Sequence, residues 1–235
     1  MPVGPKHGDR VGLVSAVESL LAQSFRDFEL VIVADGGDKL PGLPADDRLH
    51  VITLSENHGR YYCDSLVLSE CTSTYWGPHD SDDWSGLRRY ELLMRKAAEG
   101  FEAVWSDRVV YRSNGSTKVI KAAPKPGELA GTHAHHAGIY AVDALRHGPH
   151  PDFRCSWDSV FVSLALLYMR WAVCTDYQAR YHHVRRDDSL TASPETKDGS
   201  DYRHDVRERY RALWQRCKDT PPERWNEFLH WRVSR

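Results

Sequence analysis

The stretch Phe28-Glu-Leu-Val-Ile-Val-Ala-Asp-Gly-Gly37 carries the strongest structural signal in the chain. Phe28 to Ala34 is a continuous apolar run rich in β-branched residues, the pattern of a strand covered on both faces. It stops at Asp35-Gly-Gly, a turn. Upstream, Val11 to Gln23 places Val11, Val14, Val17, Leu20 and Leu21 at helical spacing. Downstream, His50 to Leu54 (HVITL) reads as a second covered strand and ends at Ser55-Glu-Asn-His-Gly59. Arg60 to Ser73 reads as a helix, and Thr74 to Gly77 as a short strand running into His79-Asp-Ser-Asp-Asp83. Leu87 to Glu99 is predicted helical with Leu92, Leu93 and Ala97 inward, and Phe101 to Trp105 is a fourth strand. The first ten residues are too rich in Pro and Gly for a helix or a central strand.

Helix and strand thus alternate with short connections over the first hundred residues. That predicts an α/β fold with a mostly parallel sheet flanked by helices. Ligands of such sheets bind beyond the carboxyl ends of the strands. Three strand ends carry acidic or Gly-rich loops, at Asp35-Gly-Gly, Glu56-Asn-His-Gly59 and Asp80-Ser-Asp-Asp83, and these are expected to meet at one crevice. In the second half, Val109 to Ala122 reads as a hairpin turning at Asn114-Gly115. A Pro/Gly loop, 123 to 132, leads into His133-Ala-His-His136. Ser156 to Tyr168 is an apolar helix, Ala172 to Val184 holds one or two strands, and 190 to 202 is a polar, mobile loop. A charged helical extension bearing Trp214, Trp225, Phe228 and Trp231 follows, its aromatics expected to pack on the domain. The division expected is a catalytic domain over 1–191, with halves 1–105 and 106–191, followed by the loop and extension over 192–235.

Composition narrows the classes. The 235 residues are 41% hydrophobic and 27% charged, ordinary for a globular protein. No apolar run is long enough to cross a bilayer, and no secretory leader is visible. Lys and Arg number 31 against 33 Asp and Glu, so the basic excess that grips nucleic acid is missing. The five cysteines are odd in number and lack a C-x-x-C pair. Free thiols in a reducing cytoplasm are therefore expected.

The chemistry is concentrated at Asp80-Ser-Asp-Asp83. Carboxylates two apart at a strand end can point the same way. Hard oxygen ligands of this kind suit Mg²⁺ or Mn²⁺ held together with substrate phosphates. With this motif in place, Ala16 to Gly37, Glu56-Asn-His-Gly59, His79-Asp-Ser-Asp-Asp-Trp84, Ser156-Trp-Asp158 and His182-His-Val-Arg-Arg-Asp-Asp-Ser-Leu-Thr191 together resemble a family 2 glycosyltransferase of the GT-A fold. The resemblance spans about residues 1 to 191. It implies inverting transfer of a sugar from a UDP-, GDP- or dTDP-linked donor to an acceptor hydroxyl of a small molecule or glycan, assisted by Mg²⁺ or Mn²⁺. By the same resemblance, Pro2, Asp35, Asn57, Arg60, Asp80, Ser81 and Arg185 would bind the nucleotide sugar. Asp82 and His183 would hold the metal, and Asp158 would be the base that deprotonates the acceptor. His135, His136 and Trp157 would line the acceptor pocket. Asp83 has a local alternative, capping the helix from Gly86. Trp76, Trp84 and Trp105 could stack on a sugar or base or fill the core.

Three features depart from the family pattern. Met1-Pro-Val-Gly-Pro stands where an apolar strand ending in Pro-x-Tyr-Asn is usual. Ala34 and Gly37 replace an Asp and a Ser, and Trp157-Asp158 replaces a Glu-Asp pair. Two other functions suit the same pattern: a nucleotidyltransferase that makes a nucleotide sugar, and a non-catalytic member that binds a nucleotide or glycan.

Overall fold

The computed structural model describes residues 1–4, 10–36, 40–122, 135–146, 157–185, 201–221 and 224. In chain order the elements are β1 (Pro2–Val3), α1 (Arg10–Leu21), β2 (Leu30–Asp35), β3 (Leu49–Leu54), α2 (Arg60–Glu70), β4 (Tyr75–Trp76), β5 (Trp84–Ser85) and α3 (Arg89–Ala97). There follow β6 (Ala103–Ser106), β7 (Arg108–Tyr111), β8 (Thr117–Ile120), β9 (Gly138–Ala141), α4 (Val142–Arg146), α5 (Trp157–Tyr168), β10 (Trp171–Cys174), β11 (Tyr181–Val184) and α6 (Asp201–Lys218).

Helix α1 buries Leu13, Ala16, Val17 and Leu20, the i, i+3, i+4, i+7 stripe that a one-sided helix presents to a sheet. Val3, Leu30 and Ile32 meet that stripe. The first sheet, β1-β2-β3, is parallel throughout, with Leu30 opposite Leu49 and Asp35 opposite Leu54. The Pro/Gly-rich start forms a two-residue strand at the sheet edge, not a central one: Pro2 and Val3 lie parallel to Val33 and Ala34, and an edge position asks little of a chain that lacks an N–H at proline. One expectation changes here. β3 is an outer strand, not a covered one: Val51 is 48% and Ile52 36% exposed. Its β-branched run makes it a strand, but burial depends on neighbours, and among the described residues it pairs only with β2.

The remaining strands form two four-stranded sheets in the orders β10-β6-β9-β4 and β5-β11-β7-β8. β6 runs parallel to β10, and β7 to β11. β9 lies antiparallel to both β6 and β4, so the sheets mix both senses. The predicted hairpin is present as β7–β8, with Gly115 at φ +77° in its turn, a conformation glycine adopts without a Cβ penalty.

Two of the chain's short passages between these two sheets bear on the site. The chain leaves β4, traverses residues 77–83 and enters β5. It also leaves β6 and enters β7 through Asp107. Buried Gln23, after α1, pins the exit of the first crossing, donating to Gly86 O at 2.8 Å and accepting from Tyr90 N at 3.1 Å. Helix α6 packs Trp214 and Cys217 on Leu164 of α5, so the helical extension is present. The other tail aromatics and the 190–200 loop lie outside the described residues. Cys63, Cys71, Cys174 and Cys217 are free thiols, and burial pushes Cys63 and Cys217 up to about 12, too high for reactivity. No described helix is long and apolar enough to cross a membrane.

Candidate active site

The three strand-end loops do meet. Asp35, buried at the end of β2, accepts hydrogen bonds from the backbone N–H groups of His58 and Gly59, each at 2.7 Å. Asn57 donates its side-chain amide to Asp35 O at 3.0 Å. The carboxylate therefore holds the β3–α2 loop against the end of β2 and sets where α2 begins. From the first residue of α2, Arg60 extends its guanidinium onto the Asp80 carboxylate and also faces Asp64 of its own helix at 3.4 Å. Asp64 is fully buried, and burial raises its pKa.

Residues 79–83 form the centre. His79 is buried with Nδ1 2.8 Å from Asp80 O and Nε2 3.1 Å from Ser85 Oγ. A carbonyl only accepts, so Nδ1 carries the proton and Nε2 accepts from the hydroxyl. Burial lowers the pKa of this ring to about 3, which keeps it neutral. Tyr181 donates nothing to solvent: its hydroxyl accepts from Asp80 N at 3.2 Å. Burial, with the Asp83 carboxylate beside it, raises its pKa well above the ordinary phenol value. Asp83 accepts from Val184 N at 2.7 Å and sits 3.0 Å from His183 Nδ1. It thus ties the acidic loop to β11, and the expected capping of α3 is not its role: Arg88 occupies the N-cap.

His136 enters from the 3₁₀ turn His135–Ala137 ahead of β9. Its Nδ1 is 3.2 Å from Asp80 Oδ2, and its ring stacks on that of His183 with centroids 5.5 Å apart. Buried Arg89 donates to its backbone carbonyl at 3.0 Å. Burial, reinforced by the charges around it, lowers the His136 pKa well below the usual value, so the ring is neutral. Among the described residues its Nε2 is buried without a hydrogen-bond partner. One ligand atom each from Asp80, Asp83, His136 and His183 lie within 4.8 Å of one another.

The structure thus brings together Asp35, Asn57, Arg60, Asp80, His136 and His183 of the residues named from sequence. Pro2 lies in β1 beside Val33, Ser81 is buried, and Arg185 stands exposed just past β11. Asp82 is half-buried and is not one of the four clustered residues. His135 is buried and stacks against Tyr140. Trp157 and Asp158 open α5, and their side chains, like all of His133, lie outside the described residues. Trp76 and Trp105 belong to the core. Trp84 is 36% exposed and stacks on His182 at 3.5 Å. Sequence reasoning missed Asp64, Arg89 and Tyr181. Only Tyr181 left a signal: in Tyr181-His-His-Val184, strand alternation puts it on the face of His183.

Residues 10–138 match the family described as Glycosyl transferase family 2. That is more than half of the chain, and the chain belongs to this family. Its fold is GT-A-like, as the resemblance implied. Two solved structures share that fold. The crystal structure of S. aureus TarS superposes with a TM-score of 0.56 at 16% identity, covering 80% of this chain and 36% of that one. The crystal structure of S. aureus TarS 1-349 gives 0.54 at 18% identity, covering 78% and 59%. The chain therefore spans roughly one to three fifths of those structures' lengths. No curated protein matches the sequence.

Proposed function

We propose that the protein moves a sugar from a nucleotide-diphosphate sugar to an acceptor hydroxyl with inversion, assisted by a divalent cation, Mg²⁺ or Mn²⁺. The observation that carries this is the link from the nucleotide-side loop to the acidic loop, Asp35 to His58 and Gly59, then Arg60 to Asp80, beside two carboxylates and two imidazoles. Carboxylates and neutral imidazoles are the donor types divalent ions accept, and buried His136 Nε2 lacks a partner among the described residues. The residues therefore fit a cation. Asp80, Asp83 and His183 would hold it, in place of the pair Asp82 and His183 expected from sequence, because Asp82 is not among the clustered donors; when bound it supplies a Lewis acid for the charge that develops on the leaving diphosphate.

In this reading Pro2, Asp35, Asn57, Asp80 and Ser81 form the nucleotide-sugar site, and Arg60 and Arg185 offer positive charge to its phosphates. Asp158 takes the proton from the acceptor hydroxyl as that oxygen attacks the anomeric carbon. The bond from that carbon to the diphosphate oxygen breaks, and the nucleoside diphosphate leaves. An ionised aspartate is a competent acceptor at neutral pH, so reach decides its usefulness more than a shifted pKa. His135 and Trp157 border the acceptor, while His136, expected there from sequence, sits with the clustered donors. The donor nucleotide follows from a thermal-shift panel of UDP, GDP, dTDP and CDP, each with and without Mn²⁺. A ligand confined to the native state at a hundredfold excess over its Kd adds ~2.7 kcal/mol. A metal-dependent rise with one nucleotide is expected, followed by its release from the matching sugar donor and by loss of turnover in Asp80→Ala and Asp158→Asn. Absence of binding and release with every nucleotide overturns the proposal.

A further inference from the structure

The position of His136 bears on which cation the site takes, an inference that rests on the function proposed above. His136 precedes β9, far in sequence from both the acidic loop and β11. Three features place its imidazole as a donor toward a metal. Its ligand atom lies within 4.8 Å of those of Asp80, Asp83 and His183. The ring is buried and one of its nitrogens has no hydrogen-bond partner among the described residues. Its position is held twice, by Arg89 on the backbone carbonyl at 3.0 Å and by the stacked His183 ring. Metal–donor bonds of about 2.0–2.2 Å put donors on one ion at most about 4.4 Å apart. The four atoms therefore stand near coordinating separation with small side-chain adjustments.

We infer that His136 is a direct metal ligand, and that the resulting set of two imidazoles and two carboxylates selects Mn²⁺ or a later first-row ion over Mg²⁺. Mg²⁺ prefers oxygen ligands and keeps several of its waters. Imidazole nitrogen favours transition ions, with affinity rising along the first-row series from Mn²⁺. A second buried imidazole tilts the balance twice, adding a nitrogen donor and taking a place that a water would fill.

The test uses the full chain, stripped with EDTA and without nucleotide. Mn²⁺ and Mg²⁺ are titrated by calorimetry, and pulsed EPR of bound Mn²⁺ counts coupled imidazole nitrogens, in wild type and in His136→Asn. The expected result is Mn²⁺ binding about tenfold or more tighter than Mg²⁺, with two histidine nitrogens coupled. In His136→Asn one coupling disappears and Mn²⁺ affinity falls about tenfold or more, since even partners outside the ligand shell cost 10- to 100-fold. The backbone contact to Arg89 survives that substitution. If the variant nevertheless fails to fold, the wild-type coupling count and the Mn²⁺ to Mg²⁺ ratio decide. Fewer than two nitrogens, equal affinity for both ions, an unchanged count in folded His136→Asn, or no Mn²⁺ binding overturns the inference. Nucleotide binding without the His136 coupling removes this inference and leaves the proposed function standing. Two coupled imidazoles in a protein that binds no nucleoside diphosphate does the reverse.

Discussion

Replacing Gly138 with alanine should destabilise the protein by about 2–3 kcal/mol, through a clash at the floor of the site. Gly138 opens β9 directly after His136 and Ala137. A Cβ there would meet Trp105 Cδ1 at 2.7 Å, Trp105 Nε1 at 2.8 Å and the Tyr140 hydroxyl at 2.9 Å. Neither ring has room to retreat: Trp105 is 2% exposed and Tyr140 fully buried. They are also bonded, Trp105 Nε1 donating to Tyr140 Oη at 2.8 Å and that hydroxyl donating to His135 O at 3.0 Å. Overpacking a tight core costs about 1–3 kcal/mol, and with both rings fixed the upper part of that range, about 2–3 kcal/mol, applies here. In a domain of this size each kcal/mol moves the Tm by about 2–4 °C, so a fall of about 4–12 °C is expected. Urea denaturation of Gly138→Ala should show a lower midpoint at unchanged slope. Gly42→Ala is the control, because nothing lies within 4 Å of a Cβ built there. It should be neutral or raise stability by about 0.4–1 kcal/mol. If Gly138→Ala melts with wild type, the packing of Trp105 against Tyr140 and the link to His135 are wrong.

Asp35→Ala leaves the His58 and Gly59 N–H groups without their acceptor; a loss of about 3 kcal/mol in chemical denaturation is expected from two charge-assisted bonds, and no loss would mean the loop is held otherwise. His79 makes stability acid-sensitive: its pKa lies near 3 folded and about 6.5 unfolded. The stabilisation of the neutral ring is fully present above pH 6.5 and is lost as pH falls toward 3, because only the unfolded chain takes up the proton in that window. Between pH 7 and pH 5 this single ring should remove about 2 kcal/mol, measured as the difference in pH slope between wild type and His79→Gln; equal slopes would exclude a buried neutral His79. Trp214→Ala, which removes the ring that seats α6 on Leu164, should lower stability by about 3 kcal/mol as read by thermal melting, and an unchanged Tm would mean that α6 docks without it.

What could be read from sequence was what depends on neighbours along the chain. The buried run ending at Asp35, the helical period of α1 and the Asn114-Gly115 turn all carry local periodicity or turn chemistry, and each element is found where it was expected. So were the three acidic or glycine-bearing strand ends, because a loop past a buried strand must gather at that edge. The buried stripe of α1, however, takes in Leu13 and Ala16 with Val17 and Leu20, while Val14 and Leu21 are only half-buried. Exposure of Val51 and Ile52 was not readable, since an outer and an inner strand share the same β-branched pattern until the sheet order is known. Nor was the partner of Asp83. Helix capping is a local option, whereas its bond to Val184 N joins residues about a hundred positions apart.

Two of the site residues that sequence missed, Arg89 and Tyr181, share one cause. Residues 77–83 are strung between two sheets, and so is Asp107, whose carboxylate accepts from Ala122 N at 3.0 Å and pairs with Lys121 at 2.7 Å. At such a seam the ladder hydrogen bonds of either sheet end, and backbone groups there need side-chain partners. Asp83 meets Val184 N, Tyr181 meets Asp80 N, and Arg89 meets His136 O. Polar groups are thus drawn into the interior to complete the backbone, and once there they hold neighbouring carboxylates and imidazoles in fixed positions. The same bonds that close the seam place Asp80, Asp83, His136 and His183 around one point. Stability and site geometry are therefore coupled here: a substitution that opens the seam should disorder the ligand set, while one on the outer strand β3 should leave it intact.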